Sequence, residues 1–338
     1  MSEPATSLHP ATATTRAEPL VRCENLSVRF IGGEGTVHAV NGVSFTIDAG
    51  EVLCILGESG SGKSVTLRGM MRLLPAHITQ ISGSVVVGGK DVMGLDRRAL
   101  GDLRGGEVAM IFQEPMTSFD PVFTVGTQII ETLKRHDGLS QHRARQRALE
   151  LLEMVQIPSP ARRLDNYPHE MSGGMRQRAM IALALACRPR LLLADEPTTA
   201  LDATVQIQIL RLLHRLQREL GMAVLFVTHD VGVAVEISDR IAVMYAGRFV
   251  ESGPVRAIIR EPRHPYTQGL LASTVHGAMR GHRLKAIPGS PANLAALPPG
   301  CAFAPRCPQV EAACTTAVPP EEWHDDARMV RCIRGHAR

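Results

Sequence analysis

Aromatic residues are scarce, at 4% of the chain. The basic residues are scattered, with no polybasic run and no aromatic interleaving, so the usual footprint of a nucleic-acid-binding surface is missing. No apolar run approaches the ~20 residues that span a bilayer as a helix. Residues 1–20 are rich in Ala, Thr and Pro and contain no apolar h-region. They are expected to form a disordered tail rather than a signal peptide. Heptad patterning is also missing, which argues against a long coiled coil. No two cysteines stand at the C-x₂₋₄-C spacing of a zinc knuckle. In a chain expected to stay in the cytosol, its 7 cysteines do not suggest a disulfide framework either. Cys23, Cys54 and Cys187 lie in apolar surroundings and read as core fillers. The 338 residues suit one large domain or two modest ones, and the formal charge of +4 is only mildly basic.

What is present is organised around Gly57-Glu58-Ser59-Gly60-Ser61-Gly62-Lys63-Ser64. This stretch follows Val52-Leu53-Cys54-Ile55-Leu56 and runs into Val65-Thr66-Leu67. The reading is strand, glycine-rich loop and helix, and it fits G-x-x-x-x-G-K-[ST] at every position. Glycines let consecutive backbone N–H groups turn inward around a phosphate, and the helix start adds its positive dipole end. Lys63 can then reach the β- and γ-phosphates, and the Ser64 hydroxyl can ligate Mg²⁺. The spacing predicts a nucleotide-binding protein.

Ahead of the loop, residues 21–30 and 37–47 alternate apolar and polar side chains around Gly32-Gly33-Glu34-Gly35, predicting an antiparallel pair. Phe30 stands where a ring can stack on a base or simply fill the core, with His38 a weaker candidate for stacking. Residues 81–87 and 90–92 are expected as edge strands, and 108–112 as a short apolar strand delivering Gln113. Helical periodicity begins at Val125 and continues to about Ile157 through Ile129, Ile130, Leu133, Ala148, Leu151 and Leu152. The segment between the loop and residue 190 therefore reads as a helical insertion. Met171-Ser172-Gly173-Gly174-Met175-Arg176-Gln177-Arg178 opens a further helix, expected over 179–187. Ser172 suits an N-cap and the glycines leave amides accessible, giving either an anion site or merely a capped helix.

Leu191-Leu192-Leu193-Ala194-Asp195-Glu196-Pro197 reads as a parallel strand buried on both faces and ending in two acids. Asp195 is placed to hold Mg²⁺ through water, and Glu196 to orient or deprotonate an attacking water. A helix over 204–220 and a strand over 223–228 follow, with His229 at the strand tip as a structural group or a γ-phosphate sensor. Strands over 240–245 and 248–251 are expected to close the core. Residues 286–300, with their prolines and glycines, read as a linker. Beyond it, Cys301, Cys307, Cys314 and Cys332 fall within 32 residues at C-x₅-C-x₆-C-x₁₇-C. Four isolated cysteines suit a [4Fe–4S] cluster better than a zinc knuckle, although zinc with help from His324 or His336, or unligated thiols, remain open.

Taken together, these residues resemble the ATP-binding subunit of ABC transporters over roughly residues 20–260. Walker A falls on Gly57 to Ser64, the Q-loop on Gln113, the signature on Ser172-Gly173-Gly174 and Walker B on Asp195 with Glu196. The D-loop falls on Ala200-Leu201-Asp202 and the H-loop on His229. Met171 and Met175 depart from the common L-S-G-G-Q, in a form similar to the peptide-importer branch. Glu261-Pro262-Arg263-His264-Pro265-Tyr266-Thr267-Gln268-Gly269-Leu270-Leu271 resembles the H-P-Y-T-x-x-L-L stretch of oligopeptide and dipeptide importers, which extends the likeness to the chain beyond residue 20.

The resemblance implies an α/β fold: a P-loop ABC ATPase core over 21–260, with an antiparallel β subdomain and a helical subdomain near 114–188. A small loop-rich cysteine extension over 261–338 would follow. It implies ATP contacts at Phe30, Gly57, Glu58, Ser59, Gly60, Ser61, Gly62, Lys63, Ser64, Val65, Ser172, Gly173, Gly174 and Asp202. Mg²⁺ would be held by Ser64, Gln113 and Asp195, and catalysis would fall to Glu196, His229, Gln113 and Lys63. Two such domains would sandwich ATP head to tail, with Ser172 and Gly174 serving the partner's site. Glu114, Pro115, Met116, Thr117 and Ser118 would sense the γ-phosphate and touch membrane subunits. The branch is associated with an iron–sulfur cluster at its cysteines. Expected partners are two transmembrane permease subunits, a second and paralogous ATPase, and an external solute-binding protein, with no nucleic acid. The expected location is the cytoplasmic face of the inner membrane, peripherally bound. Uptake of di- or oligopeptides leads, ahead of nickel, glutathione or another small solute, and ahead of a soluble ABC ATPase without a membrane partner.

Overall fold

The computed structural model describes residues 18–33, 35–114, 118–199, 201–273, 286–324 and 327–335. Most of the expected tail, together with Glu34, Pro115, Met116, Thr117, Ala200 and His336, lies outside the described residues. Its strands are β1 (Val21–Gly32), β2 (Gly35–Ile47), β3 (Val52–Leu56), β4 (Thr79–Val87), β5 (Lys90–Asp91) and β6 (Val108–Ile111). They continue as β7 (Leu191–Asp195), β8 (Ala223–Thr228), β9 (Arg240–Tyr245), β10 (Arg248–Pro254), β11 (Glu322–His324) and β12 (Arg328–Val330).

Two sheets result, an antiparallel one in the order β2-β1-β4-β5 and a larger one in the order β11-β12-β10-β9-β3-β8-β7-β6. The run β9-β3-β8-β7-β6 is parallel throughout. Strands β3, β7 and β8 are buried along their whole length, as continuous apolar runs in a doubly covered sheet should be. Alternate side chains of a strand face opposite sides, and each set enters a different core. Leu53, Ile55, Leu191, Leu193, Leu225 and Val227 pack toward the antiparallel sheet. Cys54, Leu56, Leu192, Ala194, Val224 and Phe226 pack toward the helices. Cys23 and Cys54 are buried in these cores as expected, while Cys187 is half-buried at the edge of one.

Two expectations need correction. The strand β4 is interior: β1 pairs along one edge, from Val21↔Val87 to Phe30↔Thr79, and β5 takes the other at Val86↔Asp91 and Val87↔Lys90, so of the two only β5 is an edge strand. Strands β9 and β10 do not close the large sheet. The free edge of β10 is taken by β12 and then β11, both from the C-terminal extension. The join is ionic and dry: Arg328 donates to Glu251 Oε1 at 2.9 Å with both side chains almost fully buried. Glu251 also accepts the backbone N–H groups of Arg263 and His264 at 2.9 and 3.0 Å.

The helical insertion comprises Val125–Asp137, Gln141–Met154, Pro160–Leu164 and Gly173–Ala184. Thr124, Ser140 and Ser172 cap three of these helices, each side-chain oxygen accepting a first-turn N–H. A further helix, Arg97–Gly106, kinks at Arg104 and Gly105 and was not expected from the sequence. Among the described residues no helix is long and apolar enough to cross a membrane.

Candidate active site

Strand β3 delivers the chain into the glycine-rich loop at the C-terminal edge of the parallel run, beside the ends of β7 and β8. Two glycines of the loop are dictated by space. A Cβ at Gly57 would lie 2.3 Å from the Met244 carbonyl oxygen. One at Gly62, where φ is +106°, would lie 2.3 Å from that of Ala39. The helix Lys63–Met70 that follows has no side chain capping its first turn, so its N-terminal amides stay available to an anion.

Lys63 is 4% exposed. Its Nζ donates to the carbonyl oxygens of Gly57 at 2.9 Å and Glu58 at 3.0 Å, and stands 3.9 Å from Glu196 Oε1. Burial lowers its pKa, and Glu196 and Asp195 oppose that shift. Ser64 Oγ donates to Asp195 Oδ1 at 2.6 Å, so the two groups expected at Mg²⁺ are already adjacent. Asp195 is fully buried, and desolvation pushes its carboxyl above the usual carboxylate range against the pull of Ser64 and Arg68. Arg68 Nη2, 3.4 Å from Oδ2 on a partly exposed side chain, offsets only part of that cost, and the Ser/Asp pair fits a hard, oxygen-seeking ion such as Mg²⁺.

Glu196 leaves the strand in a left-handed conformation, φ +46°, a strained backbone for a residue with a side chain. The carboxylate is 9% exposed and held on one oxygen: His229 Nδ1 lies 3.0 Å from Oε2. Thr199 Oγ1 donates to the same oxygen at 2.9 Å and Gln113 Nε2 at 3.5 Å. Three residues, carried just past the ends of β8, β7 and β6, thus converge on one carboxylate oxygen. Thr199 was missed in the sequence, where a Thr after a Pro carries no signal of its own.

The signature helix begins at Gly173, earlier than expected, with Ser172 Oγ accepting the Met175 N–H at 3.3 Å. The glycines pack toward the next helix: a Cβ at Gly174 would be 2.9 Å from Val205 Cγ1. Asp202 caps that helix, its Oδ1 accepting from Val205 N at 3.0 Å. The two helix starts are thus brought together, apart from the Lys63 cluster. Val65 is half-buried behind the loop, and Phe30 is half-buried against the antiparallel core. The backbone N–H of His38 donates to Leu294 O of the linker at 2.9 Å.

The H-P-Y stretch reaches the loop directly. Tyr266 Oη accepts the Glu58 backbone N–H at 2.9 Å. His264 Nδ1 caps the helix Pro265–Ala272 by accepting the Tyr266 N–H at 3.0 Å, and full burial pushes its pKa down to about 3, keeping it neutral. The four C-terminal cysteines line one small cavity with His264, Phe303 and Arg334. Burial raises the thiols of Cys301, Cys307 and Cys332, and backbone N–H groups of Phe303, Ala304, Gln309 and Arg334 pull them back. Among the described residues no three His, Cys, Asp or Glu side chains form a group that could hold a single metal ion.

A phosphate loop facing a Ser–Asp pair and a caged glutamate is the geometry of a P-loop nucleotide hydrolase. The helical insertion with its own glycine-rich, capped helix start narrows this to an ABC cassette. Comparison with known proteins agrees: residues 40–199 match the ABC transporter family, and residues 250–314 match the C-terminal region of oligopeptide/dipeptide transporters. The oligopeptide transport ATP-binding protein OppD of Salmonella typhimurium is 46% identical over 326 residues, covering 96% of this chain and 97% of that protein. The dipeptide transport ATP-binding protein DppD of Bacillus subtilis is 45% identical over 316 residues, covering 93% and 94%. A dimeric ATP-binding cassette solved in a post-hydrolysis state with ADP and phosphate superposes with a TM-score of 0.62 at 33% identity, over 70% of this chain and 99% of that one. The chain belongs to the family of ATP-binding subunits of ABC-type oligopeptide and dipeptide importers, and it is an ATP hydrolase.

Proposed function

We propose that the chain couples ATP binding and hydrolysis to the uptake of di- and oligopeptides through separate membrane subunits. The observation that carries this reading is the match of residues 250–314 to the peptide-transporter C-terminal region, a segment whose Tyr266 touches the phosphate loop itself. In the hydrolytic site, Lys63 and the loop amides bind the phosphates, while Ser64 and Asp195, with Gln113, would hold Mg²⁺. The ion, when bound, neutralises charge developing on the phosphoryl oxygens. Glu196 takes a proton from the attacking water, and His229, Thr199 and Gln113 fix its direction. Ser172, Gly173, Gly174 and Asp202 serve the site of the opposing ATPase, a paralogue of this chain, and Phe30 stacks on the base. The working assembly adds two transmembrane permease subunits and an external solute-binding protein, with this chain on the cytoplasmic face of the membrane. Residues 21–260 act as the cassette and 261–338 as its extension.

We also assign a [4Fe–4S] cluster to Cys301, Cys307, Cys314 and Cys332. Its support is the cavity the four share and the backbone N–H groups near the sulfurs of Cys301, Cys307 and Cys332, a feature that stabilises cluster thiolates. A single tetrahedral zinc would need its sulfurs about 3.8 Å apart; a cluster spreads them more widely. Anaerobically purified protein should be brown, with broad absorbance near ~400 nm that Cys307→Ser bleaches. A colourless wild type with stoichiometric zinc would sink the assignment.

The transport reading is tested by capturing the tagged chain from detergent-solubilised membranes and identifying what accompanies it. Two polytopic proteins and a second ATPase support it. Recovery only from the soluble fraction, or with ribosomes or DNA, overturns it and leaves the ATPase standing.

A further inference from the structure

Glu58 is the one acidic residue in the phosphate loop, and an unpaired carboxylate there would repel the triphosphate the loop must hold. It is not unpaired. Arg306, from the cysteine extension, meets it with both arms: Nη1 donates to Oε2 at 2.8 Å and Nη2 to Oε1 at 3.1 Å. The guanidinium is fixed from behind as well. Its Nε donates to Pro288 O at 2.9 Å, Nη1 to Tyr245 Oη at 3.3 Å and Nη2 to Ile287 O at 3.4 Å. It also stands 5.8 and 5.9 Å from the ring centres of Tyr245 and Phe303.

Such a two-pronged pair is stronger and more directional than a point contact. It is also sheltered, with the Arg306 side chain 5% exposed and that of Glu58 25%, so salt screens it less than a surface pair. Arg306 ends a short turn, Ala304–Arg306, lying between Cys301 and Cys307. The turn is held at both sides, by Cys301 N–H donating to Cys314 O at 2.7 Å and Cys307 N–H to Ala304 O at 3.2 Å. The fold of the cysteine segment therefore decides where the guanidinium sits.

We propose that Arg306 is a positioning residue of the phosphate loop. By pairing with Glu58 it cancels the loop's own negative charge and holds the loop ready for ATP, so that the C-terminal cysteine segment completes the nucleotide site. The proposal rests on the ATPase activity, and neither on the solute carried nor on what the thiols hold.

The test is ATP affinity of the full chain, measured at equilibrium with Mg²⁺ and Glu196→Gln present in every sample to prevent turnover. Arg306→Ala should weaken ATP binding about tenfold. Adding Glu58→Gln should recover most of the loss, because it removes the charge that Arg306 no longer cancels. Arg306→Lys keeps the charge without the fork and should lose about threefold, which gives a readout if the alanine variant does not fold. In turnover assays of the chain with Glu196 intact, the arginine variants should raise KM more than they lower kcat. Unchanged affinity in Arg306→Lys and Arg306→Ala overturns the proposal. So does a loss in Arg306→Ala that Glu58→Gln leaves in place, since that is the mark of a merely structural peg. A chain with native Arg306 and Glu58 that binds no ATP overturns the ATPase assignment along with it, an outcome distinct from both.

Discussion

His229 Nδ1 lies 3.0 Å from Glu196 Oε2, and that same oxygen receives Thr199 and Gln113. The other oxygen, Oε1, faces Lys63 Nζ at 3.9 Å. One oxygen of the carboxylate is thus committed to orientation and one is left for chemistry. This division of labour predicts a graded response. His229→Ala should lower kcat about a hundredfold, and Thr199→Ala, which removes one neutral hydrogen bond, only about fivefold. Equilibrium ATP binding should be unchanged in both. Phosphate-release kinetics beside a binding titration check the split; equal losses in affinity and kcat would contradict it.

Asp195 carries a cost in the nucleotide-free chain. Its folded-state pKa is raised above the unfolded value by burial, so the folded state binds the extra proton. Stability from this group is greatest at acid pH and falls as pH rises through the window between the two values. Asp195→Asn should remove that decline and stabilise the nucleotide-free chain at neutral pH by about 0.5–2 kcal/mol, while abolishing Mg²⁺-dependent hydrolysis. Thermal melts across pH, with and without the substitution, measure both effects.

Gly62 is fixed by the loop's geometry rather than by chemistry. With φ at +106° and a Cβ that would sit 2.3 Å from the Ala39 carbonyl oxygen, Gly62→Ala should cost about 1–3 kcal/mol. It should weaken ATP binding in the molecules that still fold. Chemical denaturation and nucleotide titration are the checks.

Arg328 and Glu251 form a buried pair that binds the extension to the central sheet. Removing one partner leaves the other charge dry, so Arg328→Ala should destabilise by about 3–5 kcal/mol. Limited proteolysis should then cut the region after residue 273 earlier than in the parent chain.

The phosphate loop, the strand ending at Asp195 and the strand ending before His229 were readable because their signals are local: glycine spacing and five- or six-residue apolar runs. The interior position of β4 was not, since pairing partners leave no mark on a strand's own alternation. Strands β11 and β12 are three residues each, too short for a periodic signal, and β12 enters the sheet carrying the charged Arg328. The helix Arg97–Gly106 buries only Leu100 and Leu103, which is too little pattern to announce it. The contacts of Tyr266 and Arg306 with Glu58 bridge 208 and 248 residues, so only the folded chain brings them together. Of the twelve aromatic residues, three (Tyr245, Tyr266 and Phe303) form one cluster beneath that contact.

The most direct test is the ATP hydrolysis rate of the complex captured through this chain, reconstituted in vesicles with the proposed solute-binding protein, with and without peptide. Peptide should accelerate hydrolysis, and Glu196→Gln in this chain should lower the stimulated rate by about two to four orders of magnitude while ATP binding persists. A rate indifferent to peptide, or stimulated hydrolysis that survives Glu196→Gln, would contradict the account.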